Sequence, residues 1–167
     1  MSVPPGDRGK SCMQFVETAD RIERKAMEVC KKWPKTYTFI ITQRTVALAS
    51  AIYEYAQYAN SILPQTEEER TQRVIALEKA MGANYAFARK IERAYSLFPL
   101  CGQNDKRTEK EAREKSNKLL EDFMNLCLEE EDALKGNLHY TRSMVLHRPR
   151  DSDRKKKNDA TPEDTTG

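Results

Sequence analysis

Three prolines divide the middle of this 167-residue chain into four segments that are otherwise almost free of helix breakers. They are Pro34, Pro64 and Pro99. Proline lacks a backbone N–H and clashes with the preceding helical turn, so it ends or interrupts a helix. Most of the other glycines and prolines lie near the two ends of the chain. The sequence therefore predicts four long helices separated by proline-containing connections.

The first segment combines a helix start signal with helical spacing of its apolar residues. Ser11 followed by Gln14 is a capping-box pattern, in which the two side chains bond reciprocally to backbone N–H groups. The apolar positions that follow keep the helical repeat: Phe15, Val16, Ala19, Ile22, Ala26, Val29 and Cys30. We expect the helix to end before Pro34, because Trp33 is disfavoured in helical conformation in front of a proline.

The second segment is predicted to be a helix over residues 38–63, although its start is rich in β-branched residues. Two adjacent stripes of this helix are largely apolar. The first stripe is Thr42, Val46, Ala49, Tyr53, Ala56, Asn60 and Leu63. The second stripe is Ile41, Thr45, Leu48, Ile52, Tyr55, Ala59 and Ile62. A surface helix needs one apolar face, so a second stripe indicates a central position or contact with another subunit. The predicted subunit interface is Ile41, Leu48, Ile52 and Tyr55.

The third and fourth helices each have a capping box of their own, Thr66 with Glu69 and Thr108 with Glu111. The third helix carries a heptad-like seam: Val74, Leu77, Met81, Asn84, Ala88, Ile91 and Tyr95. Residues 98–102 are predicted to form a turn. The fourth helix has these apolar positions: Ala112, Leu119, Leu120, Phe123, Met124, Leu126, Cys127, Ala133, Leu134 and Leu138.

Four long helices joined by short connections pack as antiparallel neighbours. The predicted fold is therefore an all-α, antiparallel up-and-down four-helix bundle over residues 11–147. Residues 1–10 are predicted to be a flexible leader. Residues 148–167 are predicted to be a disordered basic and polar tail, because their composition cannot form a core.

The net charge of +3 is unevenly distributed along the chain. Residues 101–140 contain ten acidic and seven basic side chains, whereas the segments on either side are net positive. With this distribution, the basic segments can hold an anionic ligand on one side of the protein, while the acidic helix keeps the other side soluble.

The cysteines and the apolar runs indicate a cytoplasmic protein. Cys12, Cys30, Cys101 and Cys127 lack the close spacing of a zinc site, and three of them lie on apolar stripes. We expect structural thiols in a reducing compartment. The N-terminus has no apolar segment typical of a signal peptide, and no apolar run is long enough to span a membrane.

The sequence contains no recognised catalytic motif. A Gly-rich phosphate loop, Gly-x-Ser-x-Gly and His-Glu-x-x-His are all absent. Neither His139 nor His147 has a glutamate three residues before it, as di-iron bundles require. The acidic run at residues 129–132 is interpreted as a solvated face, and Asn60 and Asn84 as polar residues that set helix register or pair across the core. We therefore expect a non-enzymatic protein without metal or cofactor.

Basic residues are the better candidates for function, and they fall into three groups. The group at the first inter-helix turn and the following helix is Lys31, Lys32, Lys35 and Arg44. The group outside the seam of the third helix is Arg89, Lys90 and Arg93. The group in the tail is Arg154, Lys155, Lys156 and Lys157. Binding of a phosphate backbone needs several fixed cations, because each neutralised phosphate releases counterions.

A second interpretation of these residues remains open. They can be ordinary surface cations paired with Glu54, Glu78 and Glu92, and the tail group can be a solubilising end. Under that interpretation the protein is a structural helical scaffold that makes no nucleic-acid contacts.

The turn Trp33-Pro34-Lys35, followed by a long helix with Arg44 that ends in Ala59-Asn60, resembles a known four-helix-bundle family. That family contains the accessory variability determinant of diversity-generating retroelements and the proteins encoded in intervening sequences of bacterial 23S ribosomal RNA genes. The resemblance covers about residues 20–140. The leader, the basic tail and the acidic fourth helix depart from the family pattern.

The resemblance implies a protomer that assembles into a barrel-shaped homopentamer with a basic surface. It also implies an accessory subunit that binds a reverse transcriptase and its template RNA and supports mutagenic cDNA synthesis. The turn lysines and Arg44 match the family's basic positions, and the third-helix group matches them less closely. Free-standing family members of the ribosomal type make the scaffold role the alternative.

Overall fold

A computed structural model describes residues 13–97 and 109–144 of the chain. Within these ranges the chain is helical, with four α-helices and no strand, as the sequence predicts. The helices are α1 (Gln14–Cys30), α2 (Gln43–Ser61), α3 (Glu67–Leu97) and α4 (Glu109–Ser143). Several predicted features lie outside the described residues: the leader, the caps at Ser11 and Thr108, the turn at residues 98–102, and the tail at residues 148–167.

The connection from α1 to α2 differs from the predicted helix start. A 3₁₀ turn covers Lys35–Tyr37 and a π-helical turn covers Thr38–Thr42, so α2 proper begins at Gln43. Pro34 is extended, with φ −58° and ψ 134°, and its carbonyl accepts the first turn's hydrogen bond. Short 3₁₀ and π turns are typical where a chain enters a helix under packing constraints. The β-branched residues of this segment favour such turns over a regular α-helical turn, because their side chains crowd the preceding turn.

The start of α3 has the predicted capping box. The Glu69 N–H donates to Oγ1 of Thr66 at 3.2 Å, and the Thr66 N–H donates to Oε2 of Glu69 at 3.1 Å. The Gln65 N–H donates to the same carboxylate oxygen at 2.8 Å. These backbone hydrogen bonds from Gln65 and Thr66 lower the pKa of Glu69 below its usual value.

The core is formed by one face of each helix. All seven predicted apolar positions of α1 are buried. The buried face of α2 takes residues from both predicted stripes: Thr45, Ala49, Ile52, Ala56 and Ala59. The two stripes are therefore the two sides of one wide face of α2.

Two of the four predicted interface residues belong to this core. Ile41 and Ile52 are buried within the single protomer, so their side chains have no surface left for a second subunit. Their assignment to a subunit interface is corrected, since a stripe on a wide buried face has the same spacing as a separate contact stripe. Leu48 and Tyr55 are half-buried at the flanks of that face.

Each helix packs against two neighbours in a closed cycle, because α2 contacts α1 and α3, and α4 also contacts α1 and α3. Between α3 and α4, Arg142 donates to Glu78 at 2.5 Å and Tyr85 donates to Glu131 at 2.8 Å. Among the described residues, no helix combines the length and the apolar character needed to cross a bilayer.

Candidate nucleic-acid interface

The connection between α1 and α2 presents four of the predicted cations to solvent. Lys31 and Lys32 follow α1, Lys35 begins the 3₁₀ turn, and Arg44 lies in the first turn of α2. All four side chains are exposed. Within the described part of the chain, none of them forms an ion pair. We call these four residues the connection cluster.

The sequence around the connection cluster has no negative charge of its own. No acidic residue lies between Glu28 and Glu54. The segment that carries the four cations therefore has an excess of positive charge, and such an excess attracts a polyanion.

Buried residues fix the backbone of the connection. Trp33 and Ile41 are both buried in the core, and they lie on either side of the 3₁₀ turn. The Trp33 N–H donates to the carbonyl of Cys30 at 3.2 Å, and the Tyr37 N–H donates to that of Pro34 at 3.0 Å. The cations thus extend from a backbone that is held in place, which lowers the entropy lost when a ligand binds.

The predicted group on α3 is only partly available. Arg89 forms an ion pair of 3.1 Å with Glu92, although its side chain is 84 % exposed. Lys90 is half-buried and Arg93 is exposed. An exposed ion pair of this kind is weak, so a phosphate can compete with Glu92 for the guanidinium.

The ion pairs expected under the second interpretation are found for Arg89 but not for the connection cluster. Glu78 pairs with Arg142 of α4 rather than with a member of either basic group. The predicted tail group lies outside the described residues: Arg154, Lys155, Lys156 and Lys157.

Both described basic groups lie at the same end of the helical assembly. Phe123 of α4 meets Phe87 of α3 with ring centroids 5.8 Å apart, and Nζ of Lys25 in α1 lies 5.0 Å from the centroid of the same Phe123 ring. The second half of α1, which leads into the connection, and the second half of α3, which carries Arg89, Lys90 and Arg93, therefore lie at the same level of the helical assembly. Lys25 of α1 forms an ion pair of 3.2 Å with Asp122, so part of α4 reaches this region too.

Two exposed apolar residues beside the connection cluster were missed by the sequence reasoning. Phe39 is 77 % exposed and Ile40 is 67 % exposed, both within the π-helical turn. The predicted helix start at residue 38 gave no reason to expect them on the surface. The available signal was the position of the pair within a segment that has cations and no acids.

The acidic run on α4 is not uniformly solvated, so that interpretation is wrong for Glu130. Its side chain is fully buried, and neither carboxyl oxygen has a hydrogen-bond partner among the described residues. Burial, and then the charge of Glu129, raise the pKa of Glu130 to about 8. The carboxyl group is therefore largely protonated at neutral pH.

The polar residue predicted to pair across the core does so. Asn84 is buried, and its Nδ2 donates to the backbone carbonyl of Cys127 at 2.8 Å. Cys30 and Cys127 are buried free thiols, and burial raises the pKa of each to about 12. Both therefore remain protonated and unreactive at neutral pH, as structural thiols do. Asn60 is half-buried.

The grooves of the described part are lined by paired charges. A groove of about 580 Å³ runs between α1 and α4, and its walls hold the ion pair of Arg21 with Glu129 at 3.2 Å. A smaller pocket of about 200 Å³ lies between α3 and α4, beside Tyr85 and Glu131. Among residues 13–97 and 109–144, no three His, Cys, Asp or Glu side chains are arranged to hold a metal ion.

No known protein family, curated protein or solved structure matches this chain. The candidate site consists of a fixed connection, four exposed cations without ion pairs, and two exposed apolar side chains beside them.

Proposed function

We propose that this chain is a non-catalytic, nucleic-acid-binding subunit that acts through the connection cluster. The observation that carries the proposal is the set of four exposed cations without ion-pair partners in a segment that has no acidic residue. The ligand that fits such a cluster is a phosphate backbone, because successive phosphates engage successive cations.

The biological role that we propose is that of an accessory subunit of a diversity-generating retroelement. In that role the protein binds the reverse transcriptase together with template RNA and cDNA in the cytoplasm, and supports mutagenic reverse transcription. The support comes from the Trp33-Pro34-Lys35 turn, from Arg44, and from the protonated thiols of Cys30 and Cys127, which suit a reducing compartment.

We further propose an antiparallel up-and-down bundle that assembles as a homopentamer. The falling residue numbers along α4, as those of α3 rise, support the antiparallel arrangement. The half-buried Leu48 and Tyr55 are the interface residues that remain available. A ring of five protomers multiplies the connection cluster fivefold, and repeated weak sites then bind one polyanion with high avidity.

Salt-dependent RNA binding tests the function. The test variant changes four residues to glutamine: Lys31, Lys32, Lys35 and Arg44. We expect wild-type affinity to fall with salt with a log–log slope of roughly −3 for four single-strand phosphates, and the variant to lose most of that slope.

A charge-matched control separates the connection cluster from net charge. It changes four exposed neutral residues near the α2–α3 connection to glutamate, which lowers the net charge by the same amount: Gln57, Ser61, Gln65 and Gln72. If this control weakens RNA binding as much as the test variant does, the cluster is not the binding site.

The assembly and the retroelement role have their own tests. Light scattering of the pentamer gives five times the protomer mass of 19.3 kDa, and a monomer mass contradicts the ring. A reverse transcriptase gene and a pair of near-identical repeats beside this gene support the retroelement role. Their absence, together with no salt-dependent RNA binding, favours the structural scaffold of the ribosomal intervening-sequence type.

A further inference from the structure

Phe39 and Ile40 form the most prominent apolar projection beside the connection cluster. They are consecutive and mostly exposed, at 77 % and 67 %. The residues on either side behave differently, since Ile41 is buried and Thr38 is half-buried. Exposing two adjacent large apolar side chains costs solvation free energy, and these two differ from the other exposed apolar residues because they lie beside four unpaired cations on a fixed turn.

The π-helical turn explains why these two side chains point away from the core. The Gln43 N–H donates to the carbonyl of Thr38, five residues earlier, so the turn is wider than an α-helical one. With Trp33 and Ile41 buried on either side, the intervening segment is held outward. Turns of this kind are frequent at functional sites.

We propose that Phe39 is a stacking platform for unpaired bases, with Ile40 beside it, so that the ligand of the connection cluster is single-stranded nucleic acid. This inference rests on the proposed function and adds the strandedness of the ligand. Proteins that bind single strands combine cations that follow the backbone with aromatic side chains that stack on successive bases. In a duplex the bases are already stacked on one another, and Phe39 has no free base face to contact.

The distribution of cations favours a flexible polyanion over a flat anionic membrane. Beyond the connection, Arg89, Lys90 and Arg93 lie on α3 at the same end of the helical assembly, as the shared contacts of Lys25 and Phe87 with the Phe123 ring indicate. Arg89 is eight residues before the end of α3, which corresponds to about 12 Å along the helix axis. A single strand can follow cations over this distance, whereas a bilayer that contacts the end of the assembly reaches only the outermost ones.

The experiment measures fluorescence anisotropy of the full chain with a labelled 20-nucleotide RNA strand and with the same strand in a perfect duplex. We expect Phe39→Ala to weaken binding of the single strand about tenfold and to leave duplex binding unchanged. Phe39→Trp should retain the affinity. Because Trp33 is buried and is the chain's one tryptophan, fluorescence of the new indole should be quenched by the single strand.

Leu63→Ala is the matched control. Leu63 is 76 % exposed and apolar, and it lies in the connection between α2 and α3, at the other end of α2 from the connection cluster. Removing it lowers the exposed apolar area to a similar degree, so its binding curves should match those of the wild type. Circular dichroism checks that both variants keep their helical content.

The outcomes separate the two proposals. Equal single-strand affinity of Phe39→Ala and wild type, with the connection-cluster variant impaired, overturns the stacking site and leaves the proposed function standing. If Phe39→Ala loses the same affinity for the duplex as for the single strand, the stacking site is also overturned. No salt-dependent binding of either RNA overturns the proposed function itself. Phe39-dependent binding to phosphatidylserine vesicles, without Phe39-dependent RNA binding, assigns the projection to a membrane surface and overturns the stacking site.

Discussion

The side-chain amide of Asn84 donates a 2.8 Å hydrogen bond to the backbone carbonyl of Cys127, which joins α3 to α4 inside the core. Oδ1 of the same amide has no hydrogen-bond partner. A buried amide that satisfies one helix carbonyl contributes less to stability than to register, because a shift of α4 along α3 breaks the bond.

Replacing Asn84 by alanine removes this bond and leaves a small cavity. We expect the free energy of unfolding to fall by about 2 kcal/mol, from the lost hydrogen bond and the lost packing together. Urea denaturation measures the change as a lower transition midpoint with an unchanged slope. Asn125→Ala is the control, since Asn125 is an exposed asparagine on α4. Equal midpoints for the two variants contradict a structural role of the Asn84 bond.

The fully buried carboxyl group of Glu130 makes stability depend on pH. Its folded-state pKa, about 8, is raised above the ordinary value of 4.5 by burial and by the charge of Glu129. As pH rises, Glu130 therefore ionises at a lower pH in the unfolded chain than in the folded protein. The stability that this group contributes is fully present below pH 4.5. It is lost progressively as pH rises towards 8, by roughly 5 kcal/mol in total.

Glu130→Gln isolates this effect, because glutamine has a similar shape and does not ionise. We expect the wild type to lose stability relative to the variant between pH 5 and pH 8, and the difference to stay constant above that range. Urea denaturation at closely spaced pH values gives both profiles. Parallel profiles for the two proteins show that Glu130 ionises equally in the folded and unfolded states, which contradicts its burial.

The parts of the fold that depend on nearby residues were predictable from the sequence. The capping box of Thr66 and Glu69 involves atoms only three residues apart, and the structure has both of its hydrogen bonds. The buried face of α1 matches its apolar spacing, because an amphipathic helix buries its one apolar stripe. The exposure of the basic connection was also expected, since lysine and arginine are costly to bury.

The parts that depend on packing between helices were not predictable. Phe87 lies off the predicted seam of α3, yet it is buried and meets Phe123 of α4 edge-on, with ring centroids 5.8 Å apart. The burial of Glu130 was not predicted, because the residues on both sides of it are acidic. Glu130 nevertheless follows Cys127 by three residues and precedes Leu134 by four, which is the spacing of core positions on a helix. The outward position of Phe39 depends on the core contacts of Trp33 and Ile41, and its one local signal was its place in a segment that has cations and no acidic residue.

Thr66→Ala tests how much the capping box contributes to the start of α3. The substitution removes the hydroxyl oxygen that accepts the Glu69 N–H, so a backbone donor at the helix start loses its partner. We expect the free energy of unfolding to fall by about 1 kcal/mol, and Thr66→Ser to restore most of it. Chemical denaturation at neutral pH measures both variants.

Thr71→Ala is the matched control for this position. Thr71 is exposed inside the same helix, and its hydroxyl donates to the carbonyl of Glu67 at 2.8 Å, a bond that does not cap the helix. Because alanine has the higher helix propensity, this change should leave stability within about 0.5 kcal/mol of the wild type or raise it slightly. If Thr66→Ala and Thr71→Ala unfold at the same midpoint, the hydrogen bonds at Thr66 do not stabilise α3 beyond what water provides.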